Sequence, residues 1–240
     1  MSFEKISKPE QDLKTPLRYR FLNAINSLLK PIDKKIAQDR AEDLVEGSGI
    51  VKHLEENGIY LDIGTGPGHI LEKLLSKTAN KNVKIIGLDP FAKPFAAVRE
   101  RLEGGERHLF VRGAGQQLPI KEKSLNGAIL YFVAHHLPTE DREMLFDEID
   151  VILKDGGKIF LIEDTPGDVE ERERVEKWDK RLNFESGPEE HAYLSDAEWK
   201  TFFERRGYDL VDETHFADES RKEEEGTIPH SSYVLRRREV

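Results

Sequence analysis

The segment LDIGTGPGHI, residues 61–70, concentrates the residue types that can hold a ligand. Gly64, Gly66 and Gly68 follow an apolar run, IYLDI at 59–63, that reads as a strand, and a helix is expected over 70–76. Glycines in that position let the backbone turn sharply and approach a bound molecule, with amide groups exposed at a helix N-terminus. A tight strand–helix turn with no ligand would use the same glycines, and that reading stays open. Asp89 ends the next apolar run, VKIIGLD at 83–89. A carboxylate there can accept hydrogen bonds from two vicinal ribose hydroxyls; a turn or N-cap aspartate before Pro90 is the plainer reading. A dinucleotide site would want G-x-G-x-x-G. Here the third glycine falls one residue early, His69 stands in its place, and the acidic Asp62 sits inside the motif.

These residues need a scaffold, and the rest of the chain supplies one. Further strands are expected over 108–112, 127–133 and 158–163, alternating with amphipathic helices. One helix carries Phe95, Val98 and Leu102; another, capped by Thr139, carries Leu145, Ile149 and Ile152. Alternation of that kind implies βαβ units and a parallel sheet covered on both faces. Before it, residues 1–14 read as disordered, a helix runs over 17–28, a second closes near Gly47, and Ser48 caps a third that ends at Gly58. After it, Ser195 and Glu198 form a capping-box pattern with Leu194 and Trp199 as the staple, Gly207 stops that helix, and strands follow at 208–216 and 231–237.

With these motifs in order, the chain resembles the class I S-adenosylmethionine-dependent methyltransferases, in the small-molecule branch typified by the ubiquinone and menaquinone biosynthesis enzymes. The carriers are LDIGTGPGH, the acid of IIGLDP, VRGAGQQLP at 111–119, NGAILYFVAHHL at 126–137 and LKDGGKIFLIED at 153–164. The resemblance covers roughly residues 40–240. It implies an α/β, Rossmann-like, seven-stranded, mostly parallel sheet with an antiparallel last strand, N-terminal helices over 15–57, a cofactor-binding core over 58–163, a substrate lid over 164–194 and a C-terminal helix with strands over 195–240. It implies S-adenosylmethionine as cofactor. Asp62, Gly64, Thr65, Gly66 and Gly68 would surround its methionine part, Asp89 would hold the ribose, Leu88 and Pro90 would flank the adenine, and Gly113, Ala114 and Gln116 would meet the adenine edge. The family often has an acid where this chain has Ala114; Gln116 or Gln117 would have to supply the acceptor for the adenine amino group.

Methyl transfer is an in-line displacement at an already activated carbon, so the protein mainly aligns the reactants and excludes water. Tyr131 would lie near the transferred methyl, where a ring facing the sulfonium contributes about 0.5–2 kcal/mol; a core aromatic is the alternative. His135 would be a general base if the acceptor must lose a proton, or a structural histidine beside His136. Glu163, Asp164, Trp178, His191 and Tyr193 are candidates for the acceptor side, with Trp178 equally a core anchor of the lid. The run ERERVEKWDKR reads as a solvated helix face.

Composition narrows the classes further. The chain has 240 residues, no cysteine and a formal net charge of -10. Disulfides, thiolate zinc sites and cysteine nucleophiles are therefore excluded. The eight histidines show no metal-ligand spacing, so no metal is expected. Nucleic-acid binding normally requires a basic face; only Arg236, Arg237 and Arg238 cluster. There is neither a signal-peptide core nor a membrane-length apolar run, and a cytoplasmic protein acting on a small molecule is expected. An RNA or protein methyltransferase and a non-catalytic S-adenosylmethionine-binding regulator are the alternatives. No oligomeric state is specified.

Overall fold

Strand β1 (Ile59–Ile63) is buried along its whole length, as the centre of a sheet covered on both faces requires. Around it the computed structural model, which describes residues 34–90, 102, 105–182, 192–217 and 227–238, builds one seven-stranded sheet. The other strands are β2 (Lys84–Asp89), β3 (His108–Arg112), β4 (Leu125–Tyr131), β5 (Leu153–Asp164), β6 (Tyr208–Ala217) and β7 (Pro229–Arg237). Their spatial order is β3-β2-β1-β4-β5-β7-β6. The first five run parallel, while β7 is antiparallel to both β5 and β6. This is the Rossmann-like α/β sheet with an antiparallel last strand that the motifs imply.

Side chains alternate between two cores, as a period of two demands. Leu61, Ile86, Leu130 and Leu161 point to one face, with α3 (Thr139–Ile152) and α5 (Asp196–Arg205) over them. Tyr60, Ile85, Ile129 and Phe160 point to the other, under α1 (Lys34–Ser48) and α2 (His69–Lys77). Lys73 and Lys77 both reach Glu42, at 3.0 Å each, and tie α2 to α1. Helix α4 (Val169–Leu182) follows β5. The capping box opens α5 as expected: Ser195 N–H donates to Glu198 Oε2 at 2.8 Å, and Glu198 N–H to Ser195 Oγ at 3.4 Å. Trp199 then buries completely, stacked on Phe203 at 5.7 Å and beneath the Arg142 guanidinium at 5.5 Å.

Five local expectations are corrected. No third helix runs from Ser48 to Gly58; a 3-10 turn, Ile50–His53, stands there, because Gly49 takes a left-handed φ of 64°. Ser48 caps nothing, since its hydroxyl donates back to Val45 O and meets Tyr131. Thr139 is the first helical residue of α3 rather than its cap; Pro138 holds the cap position. Strand β4 ends at Tyr131 instead of running to 133, because Phe132 turns to a φ of 55°. Strand β5 starts at Leu153, directly from α3, with Gly156 at φ 74° inside it. The disordered start, the helix over 17–28, the helix around Phe95 and Val98, His191 and the Trp178 side chain lie outside the described residues; Leu102 lies in a turn.

Trp199→Ala should destabilise the fold by about 3–5 kcal/mol, the range for emptying a large aromatic site, and Ser195→Ala by only about 1 kcal/mol, as for an N-cap. Urea denaturation of both variants tests this ranking.

Candidate functional site

In the sheet order, the chain leaves β1 towards β2 and β3, then returns to place β4 on the other side of β1. In open α/β folds that reversal opens a crevice at the carboxyl ends of the strands. The glycine loop after β1 and the turn after β4 flank it. Gly64, Gly66 and Gly68 have φ of 71°, 49° and 74°, a region costly for any residue with a Cβ. Gly64 also sits against the β4 turn: a Cβ there would come within 2.6 Å of Val133 Cγ2. At Gly66 a Cβ would meet nothing closer than 3.9 Å. The loop is thus pressed to its neighbour at one glycine and open at the next, and Gly68 delivers the chain into α2.

The carboxylates of the motif are wired into this loop. Thr65 Oγ1 donates to Asp62 Oδ2 at 2.5 Å, and Gly66 N–H donates to Asp89 Oδ2 at 3.0 Å. Gly64 N–H and Thr65 N–H both donate to Leu88 O, at 2.8 and 3.1 Å. Asp62 and Asp89 are both buried. Burial, reinforced by the charge of Asp89 and opposed by the Thr65 hydrogen bond, lifts the Asp62 carboxyl to about 7. Asp89 therefore acts as a turn residue that ties two loops, whatever else it holds.

Gly113 follows β3, and its N–H donates to Asp89 O at 3.2 Å. Ala114 and Gln117 close a small bridge there, and Gln116 gives its side-chain amide to Asp141 Oδ2 at 2.8 Å. Pro90 is half-buried, its carbonyl accepting from Arg112 Nε at 3.1 Å. Asp62, Gly64, Thr65, Gly66, Gly68, Asp89, Pro90, Gly113, Ala114 and Gln116 are thus gathered along the ends of β1, β2 and β3.

Tyr131 closes the other side of the crevice. It is buried in the core shared with α1, and its hydroxyl lies 2.8 Å from Ser48 Oγ. Burial pushes this phenol well above its ordinary range, so it is a neutral hydrogen-bonding group. His135 lies in a 3-10 turn, Ala134–His136, and is buried. Its Nδ1 is 2.5 Å from Glu163 Oε2. Glu163, fully buried at the end of β5, also accepts the N–H groups of Val133 and Ala134 at 3.1 and 2.6 Å. Tyr193 stacks on the His135 ring at 4.8 Å, Ala192 N–H donates to His135 O at 3.0 Å, and Arg142 Nη1 donates to Ala192 O at 3.2 Å. His135, Glu163 and Tyr193 therefore form one bracket.

Sequence reasoning missed Ser48, Phe132, Arg142 and His230. The polar start of β7, HSS at 230–232, was the available signal, since polar residues in a strand between two others must be buried. Among the described residues, one group of side chains has metal-like spacing: Asp196, Glu213 and His215. Its charge is already met by Lys200, whose Nζ lies 2.9 Å from Asp196 Oδ2 and 2.8 Å from Glu213 Oε1. No described helix is long and apolar enough to cross a membrane.

Residues 61–157, from β1 into β5, match the family model described as a methyltransferase domain. This stretch, about two fifths of the chain, is similar to a methyltransferase domain. An uncharacterized methyltransferase of Geobacillus sp. is 27% identical over 103 residues, 43% of this chain and 46% of that relative. The chain spans about half the length of the curated relatives it matches. A solved putative methyltransferase from Bacillus halodurans superposes with a TM-score of 0.63 at 17% identity, over 82% of this chain and 99% of that one. An S-adenosylmethionine-dependent methyltransferase from Methanosarcina mazei gives 0.62 at 17% identity, over 78% and 96%. These structural likenesses establish the methyltransferase fold, and none of the three descriptions names an acceptor.

The carboxyl of Asp62 in this domain makes stability pH-dependent. Its value rises on folding from 3.8 to about 7, so between those limits the folded state holds a proton that the unfolded chain has lost. Stability from this group is full below about pH 4 and falls as pH rises through 7. Asp62→Asn should be more stable than the parent by about 1–3 kcal/mol at pH 8 and no more stable at pH 4.5. Urea titrations at the two pH values would refute this if the difference did not change.

Proposed function

We propose that the chain binds S-adenosylmethionine along the ends of β1, β2 and β3 and transfers its methyl group to a small-molecule acceptor. The observation that carries this reading is the pair of buried carboxylates, Asp62 and Asp89, pinned by the glycine loop at the sheet's reversal point. The residues fit such a cofactor. The open face at Gly66 admits a ligand against the backbone, and the α2 N-terminus favours its carboxylate. Asp62 would face its positive charges, and the Asp89 carboxylate would meet the ribose. The group supplies, when bound, a methyl carbon activated by a sulfonium.

Everything else is alignment. The Val133 contact sets the depth of the glycine loop, and Tyr131 borders the reaction centre as a neutral phenol. Gly113, Ala114 and Gln116 line the adenine edge, with backbone groups of the Ala114–Gln117 bridge in place of the customary acid. His135 acts here as a positioning residue: its Nδ1 is committed to Glu163, and its ring carries Tyr193 at the exit of the lid. Within the lid expected over 164–194, α4 would cover the acceptor; residues 183–191 lie outside the described residues. The acidity of the chain disfavours RNA as acceptor.

Calorimetry should show S-adenosylmethionine or S-adenosylhomocysteine binding at micromolar or lower Kd, with no response to NAD. Asp89→Ala should weaken it at least ~100-fold, since two hydrogen bonds to a carboxylate are lost. Ala114→Asp should change it by no more than about tenfold. NAD binding without a response to either sulfur compound would overturn the reading.

A further inference from the structure

His230 is the first paired residue of β7 after Pro229, and β7 runs antiparallel to β5. That direction brings the start of β7 to the same edge of the sheet as the ends of β4 and β5. His230 is paired in register with Asp164 on one side and Phe216 on the other. It is fully buried, and its Nδ1 lies 2.6 Å from Asp164 Oδ1. The two groups are in ion-pair contact without the geometry of a hydrogen bond, so His230 Nδ1 and Asp164 Oδ1 are both buried without a hydrogen-bond partner among the described residues. The rings of Phe132 and Phe216 pack edgewise and tilted against the imidazole at 4.9 and 5.2 Å. Its other nitrogen, Nε2, has no hydrogen-bond partner among the described residues. The next side chain on the same face of the strand, Ser232, is also buried with an unpartnered Oγ.

Two such atoms side by side in a core are costly, about 1–3 kcal/mol each. Buried polar atoms left without protein partners call for an explanation, and a ligand is one. A second observation points the same way. Phe132 is not a glycine, yet it holds a φ of 55°. Strain of this kind collects at functional sites. Phe132 is also the one ring between His230 and Tyr131, whose own ring lies 6.3 Å from it.

We propose that His230, oriented by Asp164, is the proton acceptor of the methyl-transfer site, and that the acceptor substrate is an O–H or N–H nucleophile. The proposal rests on the methyltransferase reading above and assigns its acceptor side. The reach is right. β7 lies two strands from β4, roughly 10 Å across the sheet. A nucleophile about 3 Å from the methyl carbon and about 3 Å from a histidine nitrogen fits within that span. The acceptor's proton passes to His230 Nε2 as its lone pair bonds to the methyl carbon. The carbon–sulfur bond breaks, its electron pair stays on sulfur, and S-adenosylhomocysteine leaves. Asp164 holds the Nδ1–H tautomer and stabilises the imidazolium formed. Ser232 Oγ is placed to hydrogen-bond the acceptor. Phe132 and Phe216 exclude water and favour an acceptor with a planar, apolar body.

The test has two arms. Nitrogen-15 spectra of the histidine rings at neutral pH should show His230 as the Nδ1–H tautomer in the parent and altered in Asp164→Asn; an Nε2–H tautomer in the parent overturns the proposal. A panel of phenols and primary amines, each with S-adenosylmethionine, is then assayed for S-adenosylhomocysteine formation. For any compound turned over, His230→Gln and Asp164→Asn should each lower kcat at least ~100-fold, with the calorimetric Kd for S-adenosylmethionine within twofold of the parent. Undiminished kcat in a folded His230→Gln protein overturns it. Loss of S-adenosylmethionine binding in the parent itself would instead sink the methyltransferase reading and leave the tautomer result standing.

Discussion

One buried carboxylate organises the working edge of this sheet. Glu163 takes the amides of Val133 and Ala134 on one oxygen and His135 on the other. Three donors satisfy a charge that would otherwise be prohibitive to bury. They also fix the turn after β4 in a single shape. From that shape follow the strained Phe132, the position of Val133 against Gly64 and the platform on which Tyr193 stacks. Replacing Glu163 would free all of these together, so the carboxylate couples the glycine loop to Tyr193.

The two faces of the sheet are put to different uses. The face under α3 and α5 is apolar over most of its area, with Arg142 laid over Trp199 and with Glu163 and Ser231 buried at its carboxyl end. The face under α1 turns polar towards its carboxyl end, where Tyr131 meets Ser48 and where His230 and Ser232 lie. A polar stripe of this kind does nothing for stability that apolar residues would not do better. It lies where β4, β5 and β7 converge, the edge at which the proposal above places the acceptor.

The parallel core was legible because every strand there is a short apolar run bounded by glycine or a charge. The glycine loop and Asp89 were legible because residue type and order alone define them. The capping box was legible because Ser195 and Glu198 act within four residues. What escaped reading was long-range. Ser48 looks like a cap until Tyr131, far along the chain, claims its hydroxyl. His135 looks like an exposed base until Glu163 and Tyr193 close around it. His230 carries no local signal beyond the polar start of a strand, and its partners Asp164, Phe132 and Phe216 come from three other strands or their ends. The end of β4 was misplaced for a related reason: a phenylalanine at positive φ is a tertiary effect that no propensity anticipates.

The position of β7 has a consequence for how the molecule assembles. It is the last described strand in the chain, yet it lies between β5 and β6. Until it arrives, β5 presents an open edge whose run Ile159–Ile162 is fully apolar and buried in the finished fold. Such an edge is a template for pairing with another chain. Strand β6 cannot join the sheet before β7 does, because it pairs only with β7. A growing polypeptide therefore completes the glycine loop well before it can close its sheet, and this interval is when it is most exposed to aggregation.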